Sequence, residues 1–201
     1  MSDVEAAIAA IHAGKLAVIP TDTVYGLACG PYREEPLRAL SELKGRAPGQ
    51  PIALVAASVD WLLECIPELR GRAGVLARAL LPGPYTLVLP NPARRYPWLT
   101  GARPETIGIR VPRLEGPGRE ILDALNAVAA TSANRHGGAD PRRLDEVPAE
   151  ILAAAVAVEG GELPGLPSTV VDLTGREPVV LREGAVPAAD ALERVHAVLA
   201  E

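Results

Sequence analysis

Leu16-Ala17-Val18-Ile19-Pro20-Thr21-Asp22-Thr23-Val24-Tyr25-Gly26-Leu27-Ala28-Cys29 is the stretch that decides the fold. Leu16–Ile19 is a short apolar run of the length of a buried strand, and Pro20, which has no N–H to donate, should stop its ladder. Apolar character resumes from Val24 to Cys29 after only Thr21-Asp22-Thr23. Breaks too short for a crossover helix recur at two or three places along the chain, which argues for a partly antiparallel sheet.

Working outward, Ser2 and Glu5 form a capping-box pattern that opens an Ala-rich helix through about His12, ended by Gly14. Helices are expected at Glu34–Leu43, Val59–Glu64, Leu69–Leu80, Arg119–Leu125 and Asp145–Ala154. A last one should start at Pro187, a residue suited to a first helical turn, and run through Ala200. Strands are expected at Ile52–Ala56, Tyr85–Leu89, Thr106–Val111, Ala127–Ala130, Ala155–Val158, Ser168–Leu173 and Val179–Arg182. Strands and helices mix irregularly, which predicts an α/β fold with one mixed, partly antiparallel sheet and helices packed on it. With no internal repeat and no linker, residues 1–201 read as a single domain.

A hydrophobic fraction of 48% and a charged fraction of 22% are those of an ordinary globular chain. Aromatics are only 3%, with no Phe, so aliphatic residues must fill the core. The net charge of −5 gives no global attraction for nucleic acid, although it says nothing of a local basic cleft. Cys29 and Cys65 fit neither a disulfide framework nor a zinc spacing, and the first residues lack the pattern of a secretory leader. No apolar run is long enough to span a bilayer, so the expectation is a cytoplasmic protein without membrane contact.

Five polar islands interrupt the strand-like runs: Pro20–Leu27; Lys44-Gly45-Arg46 with Gln50-Pro51; Ile107–Pro112 around Arg110; Thr131-Ser132-Ala133-Asn134; and Ser168–Asp172. Local violations of pattern are where function tends to sit. In Lys44-Gly45-Arg46 a glycine is flanked by a compact ammonium and a planar guanidinium, both suited to phosphate or carboxylate. Lys15 and Lys44 are the only lysines of an Arg-biased chain. Spacing alone leaves a second reading open, a solvated helix end whose cations favour the C-terminal dipole. Arg110 reads either as a strand residue pointing to water or as an anion clamp. Ser132 and Asn134 read as a cap, an Asx turn or ligand donors; Ser168 and Thr169 as strand residues or ligand donors; and Asp22 as a turn cap. No phosphate-binding glycine loop, dinucleotide fingerprint or nucleophile elbow is present, and His12, His136 and His196 are scattered.

Taken in order, the islands resemble the YrdC-type threonylcarbamoyl-AMP synthases of the single-domain bacterial kind, over about Ile19 to Gly184. Pro20–Leu27 resembles the family's P-T-[DE]-T-V-Y-G-L. Lys44, Arg46, Ser132 and Asn134 match its K-x-R…S-x-N tetrad, and Pro82–Leu87 resembles its P-G-P-x-T. Ser168–Asp172 looks like S-T-V-V-D and Leu181–Gly184 like the closing L-R-x-G. The resemblance implies a twisted open sheet around a deep basic cavity. It implies a nucleotidyltransferase that makes threonylcarbamoyl-AMP and pyrophosphate from L-threonine, bicarbonate or CO₂, and ATP. A downstream tRNA threonylcarbamoyl transferase complex then uses the product to make threonylcarbamoyladenosine.

Carried over residue by residue, Thr23, Arg110 and Ser168 should hold threonine. Lys44, Arg46, Gln50, Thr106, Ser132, Asn134 and Arg182 should line the ATP site, with Lys44, Arg46, Ser132 and Asn134 as the catalytic set. Mg²⁺ should arrive with ATP, with no protein-bound metal cage. Val55 stands where some archaeal members have a threonine-contacting His, and Ala47 replaces a common Pro. The extra C-terminal domain of archaeal and eukaryotic members is not expected within this chain. Two other readings compete: a YrdC-like paralogue with a different acceptor, and an RNA-binding module in ribosome maturation that uses the basic cavity for RNA contact.

Overall fold

The computed structural model describes residues 1–200. The described residues form nine strands and eight α-helices, mixed in order along the chain. The strands are β1 Leu16–Pro20, β2 Tyr25–Cys29, β3 Ala53–Ala56, β4 Tyr85–Pro90, β5 Thr106–Arg110, β6 Ala127–Ser132, β7 Ala155–Ala157, β8 Thr169–Asp172 and β9 Val179–Arg182. The helices are α1 Asp3–His12, α2 Glu34–Lys44, α3 Val59–Cys65, α4 Arg72–Leu80, α5 Pro97–Thr100, α6 Gly116–Leu125, α7 Ala149–Ala154 and α8 Ala188–Leu199. All nine strands form one sheet in the order β7-β1-β2-β6-β3-β5-β4-β8-β9. As the short Thr21–Thr23 break requires, β1 and β2 pair antiparallel, with Ile19 opposite Gly26. Parallel pairs join β1 to β7, β3 to β5 and β4 to β8, so the sheet is mixed.

Alternation along the strands gives the sheet two unlike faces. Leu27, Leu54, Leu87, Ile107, Ile109, Ala129 and Val171 point to the larger core, where Leu40, Leu62, Leu76, Ile151 and Val195 of α2, α3, α4, α7 and α8 pack on them. On the opposite face, Ala7 and Ile11 of α1 and Ile121, Leu122 and Leu125 of α6 cover Ala17, Ile19, Ala28, Val55, Val128 and Ala130. That second cover reaches only part of the sheet.

Some boundaries differ from the sequence reading for local reasons. The helix expected over Leu69–Leu80 begins at Arg72, because Gly71 takes a φ of +80° that breaks it from a 3₁₀ turn at Pro67–Leu69. The helix expected over Asp145–Ala154 divides into a 3₁₀ turn at Leu144–Glu146 and α7, with Pro148 at the junction. Pro20 does not stop the ladder but ends β1 opposite Tyr25. The short helix α5 has no counterpart in the sequence pattern.

Candidate functional site

A cavity of about 410 Å³ opens on the second face, over the strands that α1 and α6 leave bare. Its floor comes from alternate positions: Gly26 of β2, Ala53 and Val55 of β3, Thr86 and Val88 of β4, Thr106, Gly108 and Arg110 of β5, Ala130 and Ser132 of β6, and Val170 of β8. Small residues make it deep. A Cβ on Gly108 would meet only Thr86 Cγ2 at 3.8 Å and Ala53 Cα at 3.9 Å, so glycine there leaves space rather than avoiding a clash. Arg46, Arg103, Arg110 and Arg182 line the walls, and among the described residues no carboxylate or aromatic side chain does. In a chain of net charge −5, this concentrates positive charge at one place.

Gly45 places the first cations. It ends α2 in the left-handed region at φ +71°, open to glycine at little cost, and the chain turns so that Lys44 and Arg46 diverge. Lys44 points inward and is 4% exposed. Its ammonium donates to Ser132 O at 2.6 Å, Ser132 Oγ at 3.3 Å, Asn134 O at 3.0 Å, and Asn134 Oδ1. Burial, and then the nearby Arg46 charge, push Lys44 down to about 8. Asn134 in turn ties its own loop, donating to Gly138 O at 2.6 Å and Asp140 Oδ1 at 3.1 Å. Neither Lys44 nor Asn134 belongs to the cavity lining; they form a knot behind Ser132, which does. Arg46 reaches the cavity, donating to Thr131 Oγ1 at 3.3 Å and Pro51 O at 2.7 Å, and burial lowers its pKa.

Arg110 ends β5 beside the β1–β2 turn. One of its terminal nitrogens donates to Asp22 Oδ1 and, at 2.7 Å, to Thr23 Oγ1. Asp22 Oδ2 also accepts from Arg113 N at 3.0 Å, so this carboxylate fastens both the guanidinium and the chain after β5. Thr23 is 1% exposed and stands behind Arg110 rather than on the lining. At the far wall Arg182 donates to Ser168 O at 2.8 Å, and Ser168 Oγ lies 2.8 Å from Thr86 Oγ1. Burial lowers the Arg182 pKa. The closing glycine of Leu181–Gly184 is needed for close approach, since a Cβ on Gly184 would lie 2.1 Å from Pro167 O.

The structure therefore gathers Arg46, Thr106, Arg110, Ser132, Ser168 and Arg182 around one space, and leaves Thr23, Lys44, Gln50 and Asn134 off its lining. The Nε atoms of Arg46 and Arg110 and the Oε1 of Gln50 are buried without a partner. Sequence reasoning misses Arg103 and reads Asp22 as a turn residue. Thr86 is legible only as part of Pro82–Leu87. Among the described residues no cluster of His, Cys, Asp and Glu is arranged to hold a metal.

A family model covering Sua5, YciO and YrdC proteins, described as "Telomere recombination", matches residues 9–184. The chain belongs to the Sua5/YciO/YrdC family. One relative in this family, a Pyrococcus abyssi protein named threonylcarbamoyl-AMP synthase, is 35% identical over 193 residues, or 95% of this chain. The chain spans only 55% of that relative's length. A Stenotrophomonas maltophilia protein of the same name is 34% identical over 169 residues, covering 81% of this chain and 88% of its own. The crystal structure of Pyrococcus abyssi Sua5 complexed with L-threonine superposes with a TM-score of 0.82 at 32% identity, covering 100% of this chain and 59% of that one. The likeness thus extends over the whole sheet that carries the cavity.

Proposed function

We propose that this chain is an L-threonylcarbamoyladenylate synthase, forming threonylcarbamoyl-AMP and pyrophosphate from L-threonine, bicarbonate or CO₂, and ATP. The observation that carries the reading is the cavity itself, whose four arginines face no lining carboxylate, in a family whose relatives bear that enzyme's name. A buried donor without a partner costs about 1–3 kcal/mol. Anionic oxygens, which a triphosphate and an amino-acid carboxylate both supply, would offset the cost of holding the Arg46 and Arg110 guanidinium groups in the wall, where each Nε is already without a partner.

The reaction forms a carbamate when the threonine amine attacks CO₂ and loses a proton. A carbamate oxygen then bonds to the α-phosphorus of ATP and pyrophosphate leaves. No covalent step on the protein is required, so its work is positioning and charge neutralisation. Arg110, held by Asp22 and Thr23, binds the threonine carboxylate, and Ser168 faces the amino acid from the far wall. Arg46 and Arg182 neutralise the phosphates. Ser132 Oγ, at the end of β6, accepts from Lys44 and donates to Asn134 Oδ1 at 2.8 Å, so Lys44 and Asn134 fix its position from behind. Thr106 and Gln50 shape the nucleotide wall. Mg²⁺ enters on the triphosphate as part of the substrate, held by the phosphate oxygens and water.

In this reading the product passes to a tRNA threonylcarbamoyl transferase complex in the cytoplasm. No helix among the described residues is long and apolar enough to cross a membrane. The lining has no aromatic platform of the kind that single-stranded RNA stacks on, which weighs against the RNA-binding alternative. Mass detection of threonylcarbamoyl-AMP after incubating purified protein with ATP, threonine and bicarbonate tests the proposal. Folded protein that yields none, yet binds RNA in a salt-dependent way, would overturn it.

A further inference from the structure

Three of the cavity's arginines are pinned and one is not. Arg46 is held by Thr131 and Pro51, Arg110 by Asp22 and Thr23, and Arg182 by Ser168. Among the described residues, the Arg103 guanidinium makes no hydrogen bond. Its ion pair to Asp172 Oδ2 is 3.8 Å long, beyond N–H···O bonding range. The Arg103 side chain is 49% exposed, where such a pair holds weakly. Asp172 is already occupied on its other oxygen, which accepts from Thr174 N at 2.9 Å and Thr174 Oγ1 at 2.6 Å.

The backbone of Arg103 is nevertheless fixed. Its N–H donates to Thr100 O at 3.1 Å, and its carbonyl accepts from Thr106 N at 3.0 Å and Thr106 Oγ1 at 3.2 Å. Thr106, predicted to touch the nucleotide, thus spends its hydroxyl on rooting Arg103. The result is a rooted stem with a loose, bidentate cationic head on the cavity wall.

Resting on the proposed adenylation, we infer that Arg103 binds the β- and γ-phosphates that leave as pyrophosphate, with Asp172 as its exchange partner when they are gone. The bond that breaks lies between the α-phosphorus and its bridging oxygen, and the electron pair departs with the pyrophosphate. The α-phosphate stays on the product, so rigid arginines suit it. The departing fragment needs a cation that can follow it and then let go. A guanidinium fork fits phosphate oxygens, and a carboxylate competitor of the same sign as the phosphate can take it back.

Titration calorimetry with inorganic pyrophosphate, and separately with AMP, tests this on the wild type, Arg103→Gln and Asp172→Asn. The second substitution keeps an oxygen for Thr174 while removing the charge. Arg103→Gln should bind pyrophosphate at least about tenfold more weakly with AMP affinity unchanged, and Asp172→Asn should bind it more tightly. Unchanged pyrophosphate affinity in Arg103→Gln, an equal loss for AMP, or no gain in Asp172→Asn would overturn the assignment. Threonylcarbamoyl-AMP formation by the wild type separates the two claims. If it occurs while Arg103→Gln keeps its pyrophosphate affinity, only the Arg103 assignment falls; if it does not occur, the adenylation reading falls first.

Discussion

The second face of the sheet is closed at one end and open at the other, and the same strands cross both regions. Along β6, Val128 and Ala130 pack under α1 and α6, while Ala130 and Ser132 edge the cavity. Along β3, Val55 belongs to both. Where helices cover the sheet, the outward positions carry Ile, Val and Ala. Where none does, they carry Gly, Ala, Ser, Thr and Val as a floor, with arginines as walls. The pleat is the same in both regions, so what a strand position becomes is set by whether a helix lies above it. A sheet with one bare patch can thus build a charged cavity without changing its core.

The sharpest way to break this contrast is to discharge the open region. Arg46→Ala removes a guanidinium whose partners, Thr131 and Pro51, are at the cavity edge rather than in the core. Removing one preorganised charge contact from such a site costs about 10²–10³ in rate. Threonine-dependent AMP formation should therefore fall by that factor, with the thermal midpoint nearly unchanged. A comparable fall in midpoint would show that Arg46 is part of the scaffold. Lys44 makes the opposite case. Its ammonium holds four oxygens of Ser132 and Asn134, so replacing it disturbs structure and site together and separates nothing.

That difference between Lys44 and Arg46 marks where the sequence stops being legible. The period-two alternation, the Thr21–Thr23 break and the capping box at Ser2 are readable because each is a local rule with a local cause. The tetrad is readable as a set of residues, but not as a buried ammonium beside a half-buried guanidinium. Gly45 sets that divergence, and the loop at 134–140 completes it. Asp22 looks like a turn cap because its partners, Arg110 and Arg113, lie far along the chain. Arg103 sits in an irregular loop between α5 and β5 with no periodicity to mark its direction, and only the assembled sheet brings it beside Asp172.

A smaller effect is expected from adding bulk to the open floor. Gly108 has room for a Cβ, so Gly108→Val keeps its strand and projects methyl groups into the cavity. Displacing a reactant by about 1 Å costs about 10²-fold, and a similar loss should appear in turnover with little change in stability. Turnover equal to wild type would show that the substrates do not use this part of the floor.

The smallest effect should come from the closed end, and it should reverse the pattern. Ile121 of α6 is fully buried among Ala7, Val128 and their neighbours and does not line the cavity. Ile121→Val deletes one methylene, which costs about 0.5–1.5 kcal/mol of stability from lost burial and imperfect closure of the gap. Denaturant unfolding should register that loss at an unchanged m-value, while adenylate formation below the transition stays at the wild-type rate. A change in turnover without a change in stability would mean that α6 reports to the cavity through Val55 and Ala130, the two floor positions shared by both regions. The division between closed and open face would then be a gradient along the strands rather than a boundary.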